Sequence, residues 1–333
     1  MSRPTIIDVA ARSGVSKSTV SNVIRGSAVV SPAARSRVLA AVAELGYRPN
    51  AVARQLVQRR TSTVGVFVGD LGNPFYGELA KQLEHYAHAQ GFTTMICNTD
   101  GRPDREAARV EAMLERRVAG IALLQLSTDC SILDVLIAEG VPAVIVSSTD
   151  PRVDSVGVDE SRGVSLAVHH LAGLGHRRLC YVTSPYVEER TNRARHASFA
   201  RACAALGLDH AAPLLLDVDA VLAGGSADID DAATGFTAAN DLAGIALVEA
   251  LERQGRSVPR DASVVGFDGI VLTALAGVGL TTVAQPREQM ARVGVRLLLE
   301  RIGGEAGPPR RVLLEPELVI RKTTGAPRGR SER

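Results

Sequence analysis

The stretch GVSKSTVSNVIRG, residues 14–26, gathers hydrogen-bonding side chains onto one face of what reads as a short helix. Lys17, Ser18, Ser21, Asn22 and Arg25 fall on one side, while Val20 and Ile24, four residues apart, fall on the other. Ser16 stands where a hydroxyl caps the helix, and Gly14 where a turn needs positive φ. The preceding TIIDVAARS reads as a helix with Ile6, Val9 and Ala10 on its apolar face. The later SPAARSRVLAAVAELGY reads as a third, with Ser31 as cap and Pro32 as its first residue. A short polar helix propped by two others fits the DNA major groove. Lys17 suits guanine acceptors or phosphate, and Asn22 can pair bidentately with adenine.

Ordinary three-helix packing gives the same pattern, so charge has to weigh in. Residues 1–60 carry ten Lys and Arg against only Asp8 and Glu44, a net +8. The remaining 28 bases face 34 acids, a net −6. A basic head on an acidic body points to a polyanion partner for the head alone. The linker YRPNAVARQLVQRR adds to this. Pro49 bars helix continuation, Asn50 can cap a short helix, and Leu56 beside Arg54 has the form of a minor-groove wedge. The competing expectation is that Leu56 and Val52 pair with a partner helix.

Other chemistries are poorly represented. Cys97, Cys130, Cys180 and Cys203 are scattered, with no CxxC pair, so neither a zinc site nor a disulfide framework is expected. His169, His170 and His176 in HHLAGLGH read as helix-surface residues rather than metal ligands. With 3% aromatics and no Trp, a lectin lined by stacking rings is disfavoured. No GxGxxG, Walker loop or GxSxG elbow occurs, so no catalytic residue, cofactor or metal is expected, and an enzyme is the weaker reading. A solute-binding transport component is disfavoured by the basic head and the lack of an apolar signal core. A cytoplasmic, nucleoid-associated protein without membrane contact is the expectation.

The elements that must position these residues alternate from residue 62 onward. Apolar β-branched runs (STVGVFVGD, GIALLQL, PAVIVSS, RRLCYVTS, ASVVGFDG) are separated by amphipathic stretches such as GELAKQLEHYAHAQG. That pattern means parallel sheets covered on both faces, and two series of it mean two lobes. The expected fold class is α/β. A helix-turn-helix head at 1–47 and a hinge-helix linker at 48–61 precede a two-lobed body at 62–323. Lobe one takes about 62–160 and 287–320, lobe two about 161–286, and a basic tail at 324–333 is expected to be disordered. A cleft facing the carboxyl ends of both sets of strands is where such folds bind small molecules.

The segments TIIDVAARSGVSKSTVSNVIRG, SRVLAAVAELGYRPNAVARQL, GNPFYGEL, HHLAGLGHRRLCYV, TAANDLAGIAL, SVVGFDG and LTTVAQP resemble, in order, the LacI/GalR family of bacterial transcriptional regulators. The resemblance spans residues 5 to about 323. It implies a periplasmic-binding-protein-like body, a homodimer on a pseudo-palindromic operator, and a small-molecule effector, a sugar or sugar derivative, in the interlobe cleft. By that similarity Lys17, Ser18 and Asn22 read bases, within a DNA-facing set that includes Thr19, Ser21 and Arg25. Asn50 and Arg54 join Ala53 and Leu56 at the minor groove. Asn22 departs from the Arg common there, so a different operator base is expected.

The resemblance also implies effector contacts from Phe75, Tyr76, Thr191 and Arg195, with Ser198 replacing a glycine of the family motif. Asn240 and Asp268, at strand ends, join the set. Core packing is the alternative for the two rings, and helix capping for Asn240 and Asp268. The stretch LDVDAVLAGGSADIDDAATG departs most from the family pattern and leaves open whether residues 214–235 rebuild the pocket. A repressor is expected, with an effector-free repressor as the alternative.

Overall fold

The computed structural model describes residues 4–24, 29–47, 61–125, 131–184 and 189–328. It divides into two units, Met1–Thr61 and Ser62–Arg333.

In the first unit, α1 (Ile6–Ser13) opens on a reciprocal cap, in which the Thr5 side chain accepts from the Asp8 amide and Asp8 accepts from the Thr5 amide. Gly14, at φ 66°, closes it and turns the chain into α2 (Lys17–Ile24). Ser16 Oγ accepts from the Thr19 amide at 3.1 Å and so caps α2. Helix α3 (Pro32–Leu45) starts on Ser31 and stops at Gly46, φ 61°. Val9, Val20, Val23, Val38 and Ala41 form the small core. On α2, Val20 and Val23 are buried and Ile24 is half-buried against the same core, so Val23 joins the expected inward pair.

The second unit holds β1 (Thr63–Val68), α4 (Pro74–Ala89), β2 (Thr93–Asn98), α5 (Pro103–Glu115), β3 (Gly120–Leu123), α6 (Ser131–Ala138), β4 (Ala143–Val146) and β5 (Asp154–Val158). After α7 (Glu160–Gly173) and β6 (Arg178–Thr183) come α8 (Glu189–Ala205), β7 (Asp209–His210), β8 (Leu214–Leu215), α9 (Val218–Leu222), β9 (Gly235–Ala238) and α10 (Asp241–Arg253). The chain ends through β10 (Ser263–Asp268), β11 (Thr281–Ala284), α11 (Arg287–Ile302), β12 (Arg311–Leu314) and β13 (Glu317–Val319). Two sheets result, in the orders β12-β5-β4-β3-β1-β2 and β13-β11-β10-β9-β6-β7, with β8 also pairing β6. All pairings are parallel except β13 with β11. The central strands are buried along their whole length, which is why they read as continuous apolar runs; the edge strand β2 is only partly covered. Helix α11 lies so close to sheet one that a Cβ on Gly294 would come within 2.6 Å of Val146.

The chain passes between the sheets three times: from β5 into α7, from β11 into α11, and from β12 into β13. The third passage corrects two expected boundaries. Residues 317–319 belong to sheet two rather than lobe one, because Pro316 ends the run beside β5 and the chain re-pairs antiparallel with β11. The expected disordered tail is tied down at its start. The Thr324 hydroxyl meets His170 Nε2 at 2.9 Å, and Gly325 bonds Ser263 through both its N–H and C=O. His176 is correspondingly buried, between Thr234 and the Gly325 carbonyl, rather than on a helix surface. No described helix is long and apolar enough to cross a membrane.

Candidate functional site

On α2, Lys17 and Ser18 are exposed, and Thr19, Ser21 and Asn22 are half-buried at the margin of the same helix. Ser16 Oγ lies 2.8 Å from both Ser18 Oγ and Thr19 Oγ1, so these hydroxyls form one polar cluster at the helix start. Both acids of the head are engaged internally: Asp8 in the cap of α1, and Glu44 with Arg12 on α3's outer side. Among the described residues of the head, Arg12 is matched by Glu44, and Lys17 stands exposed on α2. Arg25, Asn50, Ala53, Arg54 and Leu56, with almost all of the expected hinge helix, lie outside the described residues.

Between the two sheets of the body lies a cavity of about 30 Å³. Phe75, Tyr76, Thr191, Arg195, Asn240 and Asp268 all line it, so the structure brings together all six residues expected there. Strand geometry explains the convergence. Both sheets point carboxyl ends at the cavity, and the chain leaving each strand delivers a side chain: Asn73 after β1, Leu124 and Gln125 after β3, Ser147 and Ser148 after β4. From sheet two come Asn240 after β9, Asp268 closing β10 and Gln285 after β11. Residues 214–235 do not line the cavity; Val218, Val221 and Ile229 pack into lobe two's core, and Asp230 pairs with Arg178 at 2.9 Å.

The two rings meet edge to face, centroids 5.2 Å apart, with Phe75 buried in the core and Tyr76 half-buried. Phe75 is thus both core and cavity wall. Asn240 likewise serves twice: its Oδ1 accepts from the Ala243 amide at 2.8 Å, capping α10, while the residue faces the cavity. Asp268 caps nothing. Its Oδ1 accepts from Gln285 Nε2 at 2.7 Å and lies 3.9 Å from Arg195 Nη1, and its backbone is held at φ 121°. That backbone region is costly for a residue with a Cβ, and strain of this kind concentrates at ligand sites.

Arg195 is buried, with Nε and Nη2 donating to the two carboxylate oxygens of Glu160 at 2.5 and 3.1 Å. Its Nη1 donates to the Ala239 carbonyl, and its guanidinium lies 3.7 Å from the Phe267 ring centroid. Burial pushes the Asp268 carboxyl well above the usual carboxylate range. Arg195 only partly opposes this, and the neighbouring Asp241 adds to the rise. Asp241 is raised by burial too, although Thr282 Oγ1 and the Ile270 amide donate to it at 2.5 and 2.8 Å. Sequence reasoning missed Glu160, Asn73, Gln125, Ser147, Ser148 and Gln285. Asn240 and Asp268, which the resemblance implied, stand at strand ends, and the same position is held by Gln285 in TVAQP and Ser147 in VIVSS.

A helix-turn-helix head and a two-lobed parallel-sheet body with a polar cleft define a DNA-binding transcriptional regulator. Residues 5–50 match the lacI family of bacterial regulatory proteins, and residues 168–324 match the periplasmic binding protein-like domain. The chain is 33% identical over 328 residues to the HTH-type transcriptional repressor PurR of Photobacterium profundum, covering 96% of this chain and 98% of that one. Among solved structures, the lac repressor dimer bound to operator and the anti-inducer ONPF superposes with a TM-score of 0.85 at 27% identity, covering 98% and 100%. The transcriptional regulator CelR–cellobiose complex gives 0.69 at 31%, covering 96% and 100%. The chain belongs to the lacI family of bacterial regulatory proteins.

Proposed function

We propose that the protein is a homodimeric repressor that reads a pseudo-palindromic operator through α2 and is controlled by a sugar or sugar derivative in the interlobe cleft. The observation that carries the effector reading is the meeting of Phe75, Tyr76, Thr191, Arg195, Asn240 and Asp268 around one cavity. Rings for a sugar face and fixed polar groups for hydroxyls suit such a ligand. The operator-bound lac repressor dimer, the cellobiose complex of CelR and a lacI-family regulator from Enterococcus faecium with bound ribose support the reading by likeness. The protein works by binding rather than catalysis: among the described residues that line the cavity there is no His, Lys or Cys to serve as base or nucleophile. It acts in the cytoplasm, at the nucleoid.

The cavity alone is too small for a monosaccharide, since about 10–15 Å³ of such space holds one water, but beside it lies a recess of about 410 Å³ that shares Ser147, Ser148 and Thr191. A ligand seated across the two touches both lobes and favours one arrangement of them. Ligand and operator affinities are then coupled reciprocally, by about 1–3 kcal/mol. The test is a gel-mobility titration on operator fragments from the chain's own genome, with and without a panel of sugars. A ligand-dependent shift in midpoint supports the reading, and its direction distinguishes inducer from corepressor. Specific operator binding with no response to any sugar leaves an effector-free repressor. No duplex binding at low salt overturns the proposal.

A further inference from the structure

We propose that Glu160 sets the charge selectivity of the cleft. By holding the Arg195 guanidinium inside the protein, it makes the site take an uncharged, hydrogen-bond-donating ligand and turn away phosphorylated or carboxylated ones. This deepens the effector reading above and rests on it.

The argument starts from the donors of Arg195. A guanidinium has five N–H groups and, when buried without a counter-ion, is a strong anion site. Here Nε and Nη2 are bidentate on Glu160, Nη1 is on the Ala239 carbonyl, and one face is covered by Phe267. Its charge and most of its directional donors are committed before a ligand arrives. Glu160 opens α7 at the first crossover and lines the recess of about 410 Å³ that shares Ser147, Ser148 and Thr191 with the cavity.

The cavity wall is consequently short of positive charge. Arg195 and Asp268 are its only charged lining residues among those described, and Arg195 is already matched by Glu160. An anionic ligand would meet a guanidinium whose charge Glu160 already balances. Two of the polar atoms in this wall are buried acceptors with nothing to accept from. Gln285 Nε2 donates to Asp268 at 2.7 Å, which leaves Oε1 as the outstanding group of the amide. Gln285 Oε1 and Gln125 Oε1 are both buried and without a hydrogen-bond partner in the structure. Unmatched acceptors on two sides of a cavity call for a ligand that brings donors, such as the hydroxyls of a neutral sugar.

The experiment compares the full-length wild type with Glu160→Gln, using inorganic phosphate as one probe. Matched pairs form the other: glucose with glucose 6-phosphate, and ribose with ribose 5-phosphate. Binding is read by calorimetry and thermal shift. Glu160→Gln, with Arg195 released, is expected to bind phosphate at least about tenfold more tightly than wild type, the scale of one charge-assisted hydrogen bond. In wild type, the neutral member of any pair that binds is expected to exceed its phosphorylated counterpart by a similar factor. Equal phosphate affinity in the two proteins, or a wild-type preference for a phosphorylated sugar, overturns the proposal. If wild type ignores every sugar while Glu160→Gln still gains phosphate, the effector reading fails and the role of Glu160 stands. Should Glu160→Gln not fold, the matched pairs on wild type decide alone.

Discussion

Asp154 at the back of lobe one and Asp268 in the cleft are both buried, at 2% and 4% exposure, yet their carboxyl groups are displaced in opposite directions. Burial acts to raise both. Asp154 is overcompensated by two guanidiniums: Arg301 donates from Nε and Nη2 at 3.0 and 2.8 Å, and Arg310 from Nη2 at 2.7 Å, which together hold it far below the usual range. Asp268 has one guanidinium at 3.9 Å, already claimed by Glu160, and is raised. The number of guanidinium partners separates the two, and the deeper desolvation of Asp268 adds to the difference. The first arrangement ties α11 and β12 to sheet one. The second leaves a group whose charge is unbalanced until a ligand or proton balances it, as functional sites do.

Breaking the cleft side is expected to have the largest effect. Asp268→Ala should cost ligand affinity about 100-fold or more while operator binding in the absence of ligand persists, since it strips a buried, hydrogen-bonded carboxyl group from the site. Calorimetry with the best ligand and a gel-mobility titration check the two halves. An unchanged ligand response would remove Asp268 from the site. Asp154→Asn is expected to do the reverse, costing about 2 kcal/mol of stability with ligand selectivity unchanged; the figure is discounted because both arginines are partly exposed. Its pH signature is specific. A carboxyl lowered by folding contributes stability above its unfolded value of about 3.9 and loses it as pH falls towards the folded value. Urea melts of wild type and Asp154→Asn should therefore converge below about pH 4.

How visible these two carboxylates are in the sequence differs for the same physical reason. Strand ends were legible, because apolar runs such as ASVVGFDG finish where periodicity and turn residues change, but it was the family resemblance that placed Asp268 and Asn240 at the cleft. The α2 surface was legible from one helical period, which found Val20 and Ile24 and passed over Val23. The pairing of Arg195 with Glu160 was not. A Glu in the first turn of α7 reads as an ordinary complement to the helix dipole, and its partner lies 35 residues away on α8. The lodging of β13 in the other sheet, and of Thr324 and Gly325 against His170 and Ser263, is likewise decided by tertiary pairing of a three-residue strand. Short strands carry too little pattern to declare their sheet.

Two glycines sharpen the comparison at equal steric cost. A Cβ on Gly163 would stand 2.8 Å from the Phe267 ring, and one on Gly294 2.6 Å from Val146. Each alanine substitution is expected to cost about 1–2 kcal/mol by overpacking a helix against its sheet. Only Gly163→Ala should also weaken ligand binding, because the ring it displaces stacks on Arg195. Equal ligand affinities in the two variants would show that Phe267 can yield without disturbing the guanidinium.

The smallest expected effect tests the balance itself. A carboxyl raised by folding binds more protons in the native than in the unfolded state, so stability falls as pH rises from about 3.9 through the folded value. Asp268→Asn keeps an oxygen for Gln285 Nε2, tolerates the positive φ better than most side chains, and fixes the group as uncharged. Its melting temperature should therefore exceed that of wild type at pH 8 by about 2–4 °C, roughly 1 kcal/mol, with the gap closing towards pH 5. A stabilising substitution at a ligand site is the usual trade between stability and function. If Asp268→Asn were instead less stable at pH 8, Arg195 would need the ionised Asp268 as well as Glu160. The cleft would then be balanced in the manner of Asp154, and the contrast between the two lobes would vanish.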